Sequence, residues 1–383
     1  MSQVKRIVEF REKIFKEWTI KFWEFITENR HKILKWIFLS ENPNITFDII
    51  KDNLDYPWFW ETVSRNPNIT MEIIENYSDL PWNWQDISKN KNLTWDIIEK
   101  NIDENWDWEE ISRHPNITMD IIKLNLDKPW NWDWVSENPN ITIDFIRENL
   151  DKKWNWYYMS ENISMTWDII EKNLDLPFLW MTISRNRNIT MDIIDKNPDK
   201  PWDWEYVSQN RNLTIDIILK NRDKPWNWKF ISDNRNITMD IIEENLDMPW
   251  DWIFISENPN LTIDFLENNL DKPWDWCHIS NNPNITIDFI KNNPNKRWDW
   301  DWISKSPNMT MDIIRKNPDL AWNWQWLFKN EFKKDKQIFY EEGFRKYLAA
   351  FKIQQWWKNI LFSPHTKVGK RYINKKYDEL FFE

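Results

Sequence analysis

Residues 42–65 read NPNITFDIIKDNLDYPWFWETVSR, and this stretch of 24 residues is the unit from which most of the chain is built. Its threonine, Thr46, recurs every 24 residues through twelve copies without an insertion or deletion. Its second tryptophan, Trp60, recurs twelve times in the same register, and another tryptophan stands two residues earlier in every copy except at Phe178. Self-similarity at a short fixed period is typical of proteins in which each unit packs on its neighbours. The sequence therefore predicts twelve tandem repeats.

The first half of the repeat predicts a short helix. Thr46 is a good N-cap residue, because its side chain can accept a hydrogen bond from a free backbone N–H of the first turn. Phe47, Ile50 and Leu54 follow at helical spacing and predict one buried face. Asn53 is expected to end the helix and to begin a turn.

The second half of the repeat is more ambiguous. Trp58 and Trp60 stand two residues apart, which is also typical of a strand, so a strand stays an alternative. Pro57 suits a first helical turn, with Asp55 as a possible cap before it. The position four residues after the first tryptophan is often aromatic, and the position three after the second is usually aliphatic. These spacings favour a second helix that is apolar on two sides.

The predicted fold class is all-α, a right-handed α-solenoid of two-helix repeats with helical caps at its ends. Helices of about two turns are not stable alone. Burial of a large aromatic side chain contributes roughly 2–3 kcal/mol, so the recurring tryptophans of the repeats are expected to form the core rather than a stacking surface for nucleic acid bases. With neighbouring helices about 8–10 Å apart, twelve repeats are expected to form an extended array on the order of 100 Å long before any superhelical curvature.

The regular copies occupy residues 44–328 and are flanked by two atypical segments. Residues 20–43 match the repeat in a degenerate, more basic form, so residues 1–43 are predicted to be an N-terminal helical cap. Residues 329–383 no longer follow the repeat and are predicted to form a basic, helical C-terminal cap or tail.

Two helices are predicted in that C-terminal segment, one over residues 337–362 and one from Val368 to Phe382. The stretch around Trp356, Trp357 and Lys358 is basic and amphipathic. It fits either a cap that packs on the last repeat or a helix that docks on a partner.

Charge is distributed unevenly along the chain. Residues 41–328 carry 29 basic and 50 acidic side chains, whereas residues 1–40 carry 9 and 5, and residues 329–383 carry 13 and 7. An acidic body repels the phosphates of nucleic acids. Binding of nucleic acid through the repeats is therefore expected to be unfavourable.

The sequence contains no catalytic or metal-binding pattern. Cys277 is the single cysteine, and the four histidines are too widely spaced for a metal site. A nucleophile–base pair and a glycine-rich phosphate loop are also missing from the sequence, so neither an enzyme nor a cofactor is expected. Asparagine–isoleucine–threonine triplets match the glycosylation motif, but no secretory signal or membrane span accompanies them. The protein is expected to be soluble and intracellular, away from membranes and not secreted.

The repeats resemble a known group of proteins. The NPNITxDII and DKPWNW or DKPWDW motifs look like those of asparagine- and tryptophan-rich short-repeat proteins that large DNA viruses of amoebae, mimivirus-like and marseillevirus-like, encode in multiple copies. Residues 353–357 (IQQWW) and 363–369 (SPHTKVG) are similar to the block that often ends those proteins. The resemblance covers nearly the whole chain. It implies a viral protein in the host cytoplasm or in a virion, and it transfers no catalytic residue.

The position after the serine of each repeat varies strongly from copy to copy. Positions that vary between constant core positions are typical of the binding surface of a solenoid. The sequence therefore predicts a non-enzymatic scaffold that binds protein partners, with a structural virion component as the alternative and a nucleic-acid-binding helical repeat as a third hypothesis. The candidate partner-binding residues are Arg65, Lys89, Arg113, Glu137, Glu161, Arg185, Trp356, Trp357 and Lys358.

Overall fold

The computed structural model describes residues 3–33, 35–363 and 365–372. These residues form 27 α-helices and one short 3-10 helix, and no strand is found among them. The prediction of an all-α repeat solenoid is confirmed, and the strand alternative for the second half of the repeat is wrong.

Each repeat contributes two short helices, and two long helices stand near the ends of the described chain. The helices in chain order are α1 (Gln3–Glu28), α2 (Ile37–Ser40), α3 (Phe47–Lys51), α4 (Trp60–Ser64), α5 (Met71–Asn76), α6 (Trp84–Ile87), α7 (Trp95–Lys100), α8 (Trp108–Arg113), α9 (Met119–Leu124), α10 (Trp132–Val135), α11 (Ile143–Glu148), α12 (Trp156–Glu161), α13 (Trp167–Glu171), α14 (Trp180–Arg185), α15 (Met191–Lys196), α16 (Trp204–Ser208), α17 (Ile215–Lys220), α18 (Trp228–Ser232), α19 (Met239–Glu244), α20 (Trp252–Glu257), α21 (Ile263–Asn268), α22 (Trp276–Ile279), α23 (Ile287–Asn292), α24 (Trp300–Lys305), α25 (Met311–Lys316), α26 (Trp324–Lys329) and α27 (Lys333–Leu361). From α3 to α26, odd numbers are the first helices of their repeats and even numbers the second, and α2 is the second helix of the degenerate repeat. The 3-10 helix spans Arg30–Lys32.

The residues predicted to begin and end the first helix of the repeat do so in the structure. Thr46 Oγ1 accepts a hydrogen bond from the N–H of Ile49 at 3.4 Å. At the other end, Asn53 Nδ2 donates to the carbonyl of Ile49 at 2.8 Å. Ile50 is fully buried, but Leu54 lies beyond the end of α3 and is 49% exposed. The expectation that Leu54 belongs to the buried face is therefore wrong, because the helix stops one turn too early to turn it inward.

The second helix begins later than predicted. It starts at the second tryptophan of the repeat, so Pro57 and Trp58 precede α4 instead of forming its first turn. In ten of the twelve regular repeats the cap is the asparagine or aspartate between the two tryptophans, as at Asn83, whose Oδ1 accepts the N–H of Asp86 at 3.0 Å. Phe59 and Leu179 occupy this position in the other two and make no side-chain cap bond. The assignment of Asp55 as the cap is wrong. Outside the helix, Trp58 Nε1 donates to the carbonyl of Asn53 at 2.8 Å, which fixes the turn between the helices.

Tryptophans of successive repeats pack edge to face. The second tryptophan of one repeat meets the first of the next, as in Trp60 with Trp82, whose ring centroids are 5.2 Å apart at 87°. The same arrangement persists where the first tryptophan is replaced, between Trp156 and Phe178. Such pairs contribute about 0.5–1.5 kcal/mol beyond the burial of their surface. The tryptophans therefore join neighbouring repeats as well as filling each one.

Asparagine side chains connect each repeat to the one before it. Asn66 Nδ2 donates to the carbonyls of Ser40 and Asn42, 26 and 24 residues earlier, at 3.0 and 3.1 Å. Its Oδ1 accepts the N–H of Asn68 at 2.9 Å. Asn68 Nδ2 in turn donates to the carbonyls of Pro43 and Ile45. We call this recurring set of bonds the asparagine ladder.

The ladder closes the array into a ring. Asn42, in the degenerate repeat, donates from Nδ2 to the carbonyls of Phe328 at 2.8 Å and Asn330 at 3.1 Å. These partners lie 286 and 288 residues later in the chain, whereas the same bonds inside the array reach back 26 and 24 residues. Each seam partner therefore stands thirteen repeats of 24 residues beyond the position that the bond would otherwise reach. Asn44 likewise donates to the carbonyl of Glu331 at 2.9 Å. The unit of residues 26–331 is therefore a closed ring of thirteen repeats.

Side chains at the seam repeat contacts made elsewhere in the ring. Lys329 lies 2.6 Å from Glu41, as Arg65 does from the same carboxylate on the other side. Phe38 packs on Trp326 with ring centroids 5.3 Å apart. The expected extended array of about 100 Å is wrong, because a small constant rotation between repeats returns the chain to its starting point after thirteen steps.

The remaining unit comprises residues 1–25 and 332–383. In it α1 and α27 run antiparallel, with Phe10 stacked on Tyr347 at 4.4 Å and Trp18 against Phe339 at 5.7 Å. Gly343 lies at their contact, where an added Cβ atom would lie 2.0 Å from Ile14 Cδ1 and would require the Ile14 side chain to move. The predicted helix over 337–362 is found as α27, and residues 367–372 are helical. The rest of the helix predicted to reach Phe382 lies outside the described residues.

His114 occupies an asparagine position of the ladder and makes the same bonds. Its Nε2 lies 3.2 Å from the carbonyl of Asn90, and its Nδ1 accepts the N–H of Asn116 at 3.2 Å. Only the neutral imidazole can both donate and accept in this way. Burial lowers the pKa of His114 from its usual value, which is consistent with a neutral ring.

Replacement of Asn42 by Ala is expected to destabilise the ring as much as the same change at Asn210, which makes the equivalent bonds inside the array. Each change leaves buried carbonyls without a donor and costs about 1–3 kcal/mol. The measurement is the midpoint of urea unfolding. An Asn42→Ala chain as stable as the parent, beside a destabilised Asn210→Ala chain, would show that the seam is open.

Replacement of His114 by Asn is expected to change the pH dependence of stability. Because the folded-state pKa of His114 is lowered, its contribution is complete above the unfolded value of about 6.5 and is lost as pH falls through the folded value. Unfolding should therefore become easier in the parent than in His114→Asn between pH 7 and pH 5. A matched control is His31→Asn, at an exposed histidine. Parallel pH profiles for the parent and His114→Asn would contradict the bonding described for the imidazole.

Candidate functional site

The second helices of the repeats form the inner wall of the ring. Neighbouring repeats come closest to each other through their second helices, as α12 does with α14 and α2 with α26 at the seam. In a closed ring the elements that approach most closely lie on the smaller circumference. Thirteen helices about 9 Å apart define a circle roughly 38 Å across between helix axes, which leaves roughly 25 Å between opposing side chains.

Aromatic side chains recur on this wall two residues after the second tryptophan of the repeat. Most are half-buried, and neighbouring ones touch, as Trp134 stacks on Tyr158 at 5.6 Å. The sequence pattern revealed these residues, but only as evidence for a helix. We call them the aromatic wall, and they are Phe38, Trp134, Tyr158, Tyr206, Phe230, Phe254, Trp302 and Trp326.

Three of the predicted partner-binding arginines pair with neighbours. Arg65 contacts Glu41 at 2.6 Å and Asp86 at 3.6 Å. Arg113 pairs with Glu110 at 2.6 Å, and its guanidinium lies 4.5 Å from the ring centroid of Trp134. These charges join adjacent second helices and orient the aromatic wall.

The third arginine behaves in the same way. Arg185 is paired with Glu161, another predicted residue, and lies 5.4 Å from the ring of Tyr206. In contrast, Lys89 and Glu137 are exposed, and their side chains make no ion pair or hydrogen bond with the described residues. Of the six predicted positions on the ring, these two are the charges most accessible to a partner.

The remaining candidates lie on α27, in the other compact unit. Trp356, Trp357 and Lys358 are exposed there, and the two indole rings lie 6.3 Å apart. They are not brought together with the ring positions into one site that can be described.

Acidic side chains concentrate in the wall around α18 to α22. Glu257 lies 2.8 Å from His278 Nε2, and Asp275 lies 3.0 Å from its Nδ1. The side chain of Asp233 is exposed, but the neighbouring residues of the wall displace much of the water around its carboxylate. This desolvation, together with the charge of Glu257, raises the pKa of Asp233 to about 6.

Chemical features of a metal site are missing from the part of the chain that the structure describes. No three histidine, cysteine, aspartate or glutamate side chains come together there as a metal ion requires. Cys277, at the start of α22, is exposed.

Replacement of Asp233 by Asn is expected to stabilise the ring at pH 8. Because the folded-state pKa of Asp233 is raised, its contribution is complete below about pH 4 and is lost as pH rises through about 6. The advantage of Asp233→Asn should therefore appear between pH 4 and pH 7 and vanish in more acidic solution. Urea unfolding across this range measures it, with Asp240→Asn on α19 as the control. An advantage that is independent of pH would contradict the proposed cause.

Comparisons with protein-family models, with curated proteins and with solved structures found no match for this chain. Within the described ranges, no helix has both the length and the apolar composition needed to cross a membrane.

Proposed function

We propose that this chain is a non-enzymatic scaffold whose ring binds an extended or helical segment of a partner protein along its inner wall. The observation that carries the proposal is the aromatic wall with its adjoining charges. Its constant geometry is set by the ladder, while its side chains differ from repeat to repeat. A single helix is about 10–12 Å wide, which fits the opening of roughly 25 Å.

The chemistry of the wall supports a protein as the partner. Tyrosine, tryptophan and arginine contribute most to binding at protein interfaces, and all three occur together at Arg113 with Trp134 and at Arg185 with Tyr206. Their neighbours already hold them in place, so little conformational freedom is lost on binding. Half-buried rings can still gain burial when a partner covers them.

Charge favours protein over nucleic acid. Residues 41–328 have a net charge of −21, whereas proteins that bind phosphate backbones carry clustered basic residues. The wall also alternates between basic and acidic sectors, with Lys89 in one and Glu137 in another. A polypeptide can match both signs, which a phosphate backbone cannot. Retarded nucleic acid migration in a gel-shift experiment at low salt would favour the nucleic acid hypothesis.

Site-specific photo-crosslinking tests the location of binding. Benzoylphenylalanine at Phe230 or Phe254, both on the aromatic wall, should give adducts with a discrete protein in cells that produce the chain. The control position is Leu124 on α9, a first helix, which is 83% exposed. Adducts from the wall but not from Leu124 are expected. Equal labelling from both, or labelling from Leu124 alone, would contradict binding at the wall.

The resemblance to proteins of large DNA viruses indicates where to do this experiment. In amoebae infected by such a virus, the adduct should appear in the cytoplasmic fraction if the chain is a scaffold for a cellular or viral protein. Mass spectrometry of purified virus particles distinguishes this scaffold role from a role as a structural component of the virion. Abundant chain in particles, crosslinked there to other virion proteins, would favour a virion component.

A further inference from the structure

The long helix α27 has two halves with different surroundings. Its first half packs on α1, through Phe339 against Trp18 and through Tyr347 against Phe10. Beyond Tyr347 the helix continues for 14 residues to Leu361, and almost every side chain there is exposed or only half-buried. We call residues 348–361 the distal half of α27.

The distal half exposes an apolar stripe at helical spacing. Ile353, Trp356 and Trp357 are 63%, 61% and 47% exposed, and Ile360 follows at the next position of the same stripe. Their positions i, i+3, i+4 and i+7 are those by which an amphipathic helix anchors in a groove. Exposed tryptophans in this pattern are unfavourable in water unless a partner covers them.

The distal half carries two lysines and no acidic side chain, and basic residues continue on both sides of it. Residues 345–372 contain seven lysines and arginines and no aspartate or glutamate. Lys352 stands beside the apolar stripe and Lys358 toward the opposite side of the helix, and both are exposed. A complementary surface must therefore combine apolar pockets with acidic side chains.

Apolar side chains are exposed on more than one side of this helix. Leu348 and the C-cap residue Phe362 are exposed and lie toward the side opposite Ile353, since five and nine residues make about 1.4 and 2.5 helical turns. A flat anionic membrane surface can cover only one side of a helix. A groove that encloses the helix can cover both, which favours a protein partner over a lipid surface.

We propose that the distal half of α27 is a docking helix for a partner protein with an acidic, methionine-lined groove of the EF-hand sensor type, which closes around basic amphipathic helices. This site uses none of the residues of the aromatic wall, so the proposal stands or falls independently of the proposed function. Trp356 and Trp357 are the anchors, and the lysines pair with acidic side chains at the rim of the groove.

The test uses the full chain with calcium-loaded calmodulin as the probe for this groove chemistry, followed by isothermal titration calorimetry. Binding is expected with calcium and should be lost when calcium is chelated, because the groove then closes. The double variant Trp356→Ala/Trp357→Ala should bind at least about tenfold more weakly. A matched control is Leu124→Ala on the ring, which should bind as the parent does.

Three results would overturn the proposal. One is the absence of binding to calmodulin tighter than roughly 100 µM in calcium. Another is equal affinity of the parent and the double variant, when circular dichroism shows that both are folded. The third is stronger association of the parent with phosphatidylserine vesicles than with calmodulin, which would assign the distal half to a membrane surface.

Discussion

The asparagine amide of the ladder is the interaction on which this structure depends. In most repeats it donates to carbonyls of the repeat before it and accepts an N–H of its own turn, as Asn66 does, while His114 and Ser306 take its place in two repeats. Hydrogen bonds are directional, and these carbonyls are buried, so a repeat that slipped or rotated would leave them without donors. The ladder therefore fixes the geometry of one step. Hydrophobic contacts between short helices could not do this alone, because burial of apolar surface has no preferred direction.

A ring follows from the repetition of that step. Closure after thirteen repeats requires a rotation of about 28° between neighbours and no net rise around the circle. The seam bonds of Asn42 have lengths of 2.8 and 3.1 Å, against 3.0 and 3.1 Å for Asn66. The ring thus closes without stretching its bonds. Closure also removes both exposed ends of a solenoid, since the degenerate repeat covers the last regular one.

Tryptophan and asparagine have complementary roles in the repeat. The edge-to-face pairs, such as Trp60 with Trp82, supply burial that helices of one to two turns otherwise lack. The hydrogen bonds of the ladder fix the orientation of each repeat relative to the one before it. Because these two residue types hold the repeats together, the exposed residues of the second helices are free to vary. The aromatic wall consists of such variable positions, held in a fixed geometry by the ring.

Much of the local structure could be predicted from the sequence. The fixed period, the Thr46 cap and the buried Ile50 all follow from local spacing. Leu54 was misplaced because the end of a short helix is decided by the Asn53 side chain. The true cap of the second helix was visible as the recurring asparagine or aspartate between the tryptophans, but Pro57 favoured an earlier start.

Closure could not be predicted, because no single residue encodes it. The ladder asparagines carry no local signal of their role, since their partners lie a whole repeat away. The pairing of Arg185 with Glu161 was missed for the same reason. Similarly, the aromatic wall was visible only as a periodic position, because its common surface exists only once the second helices line a ring.

Zero-length crosslinking with a carbodiimide tests closure most directly, since it joins only amines and carboxylates that are in contact. Lys329 and Glu41 are 2.6 Å apart across the seam, and Lys220 and Asp195 are 3.0 Å apart inside the array. The ring predicts an isopeptide bond at both pairs in the monomeric fraction, with a yield that does not change on dilution. A bond between Lys220 and Asp195 without one between Lys329 and Glu41, or a seam bond found only in dimers, would contradict it.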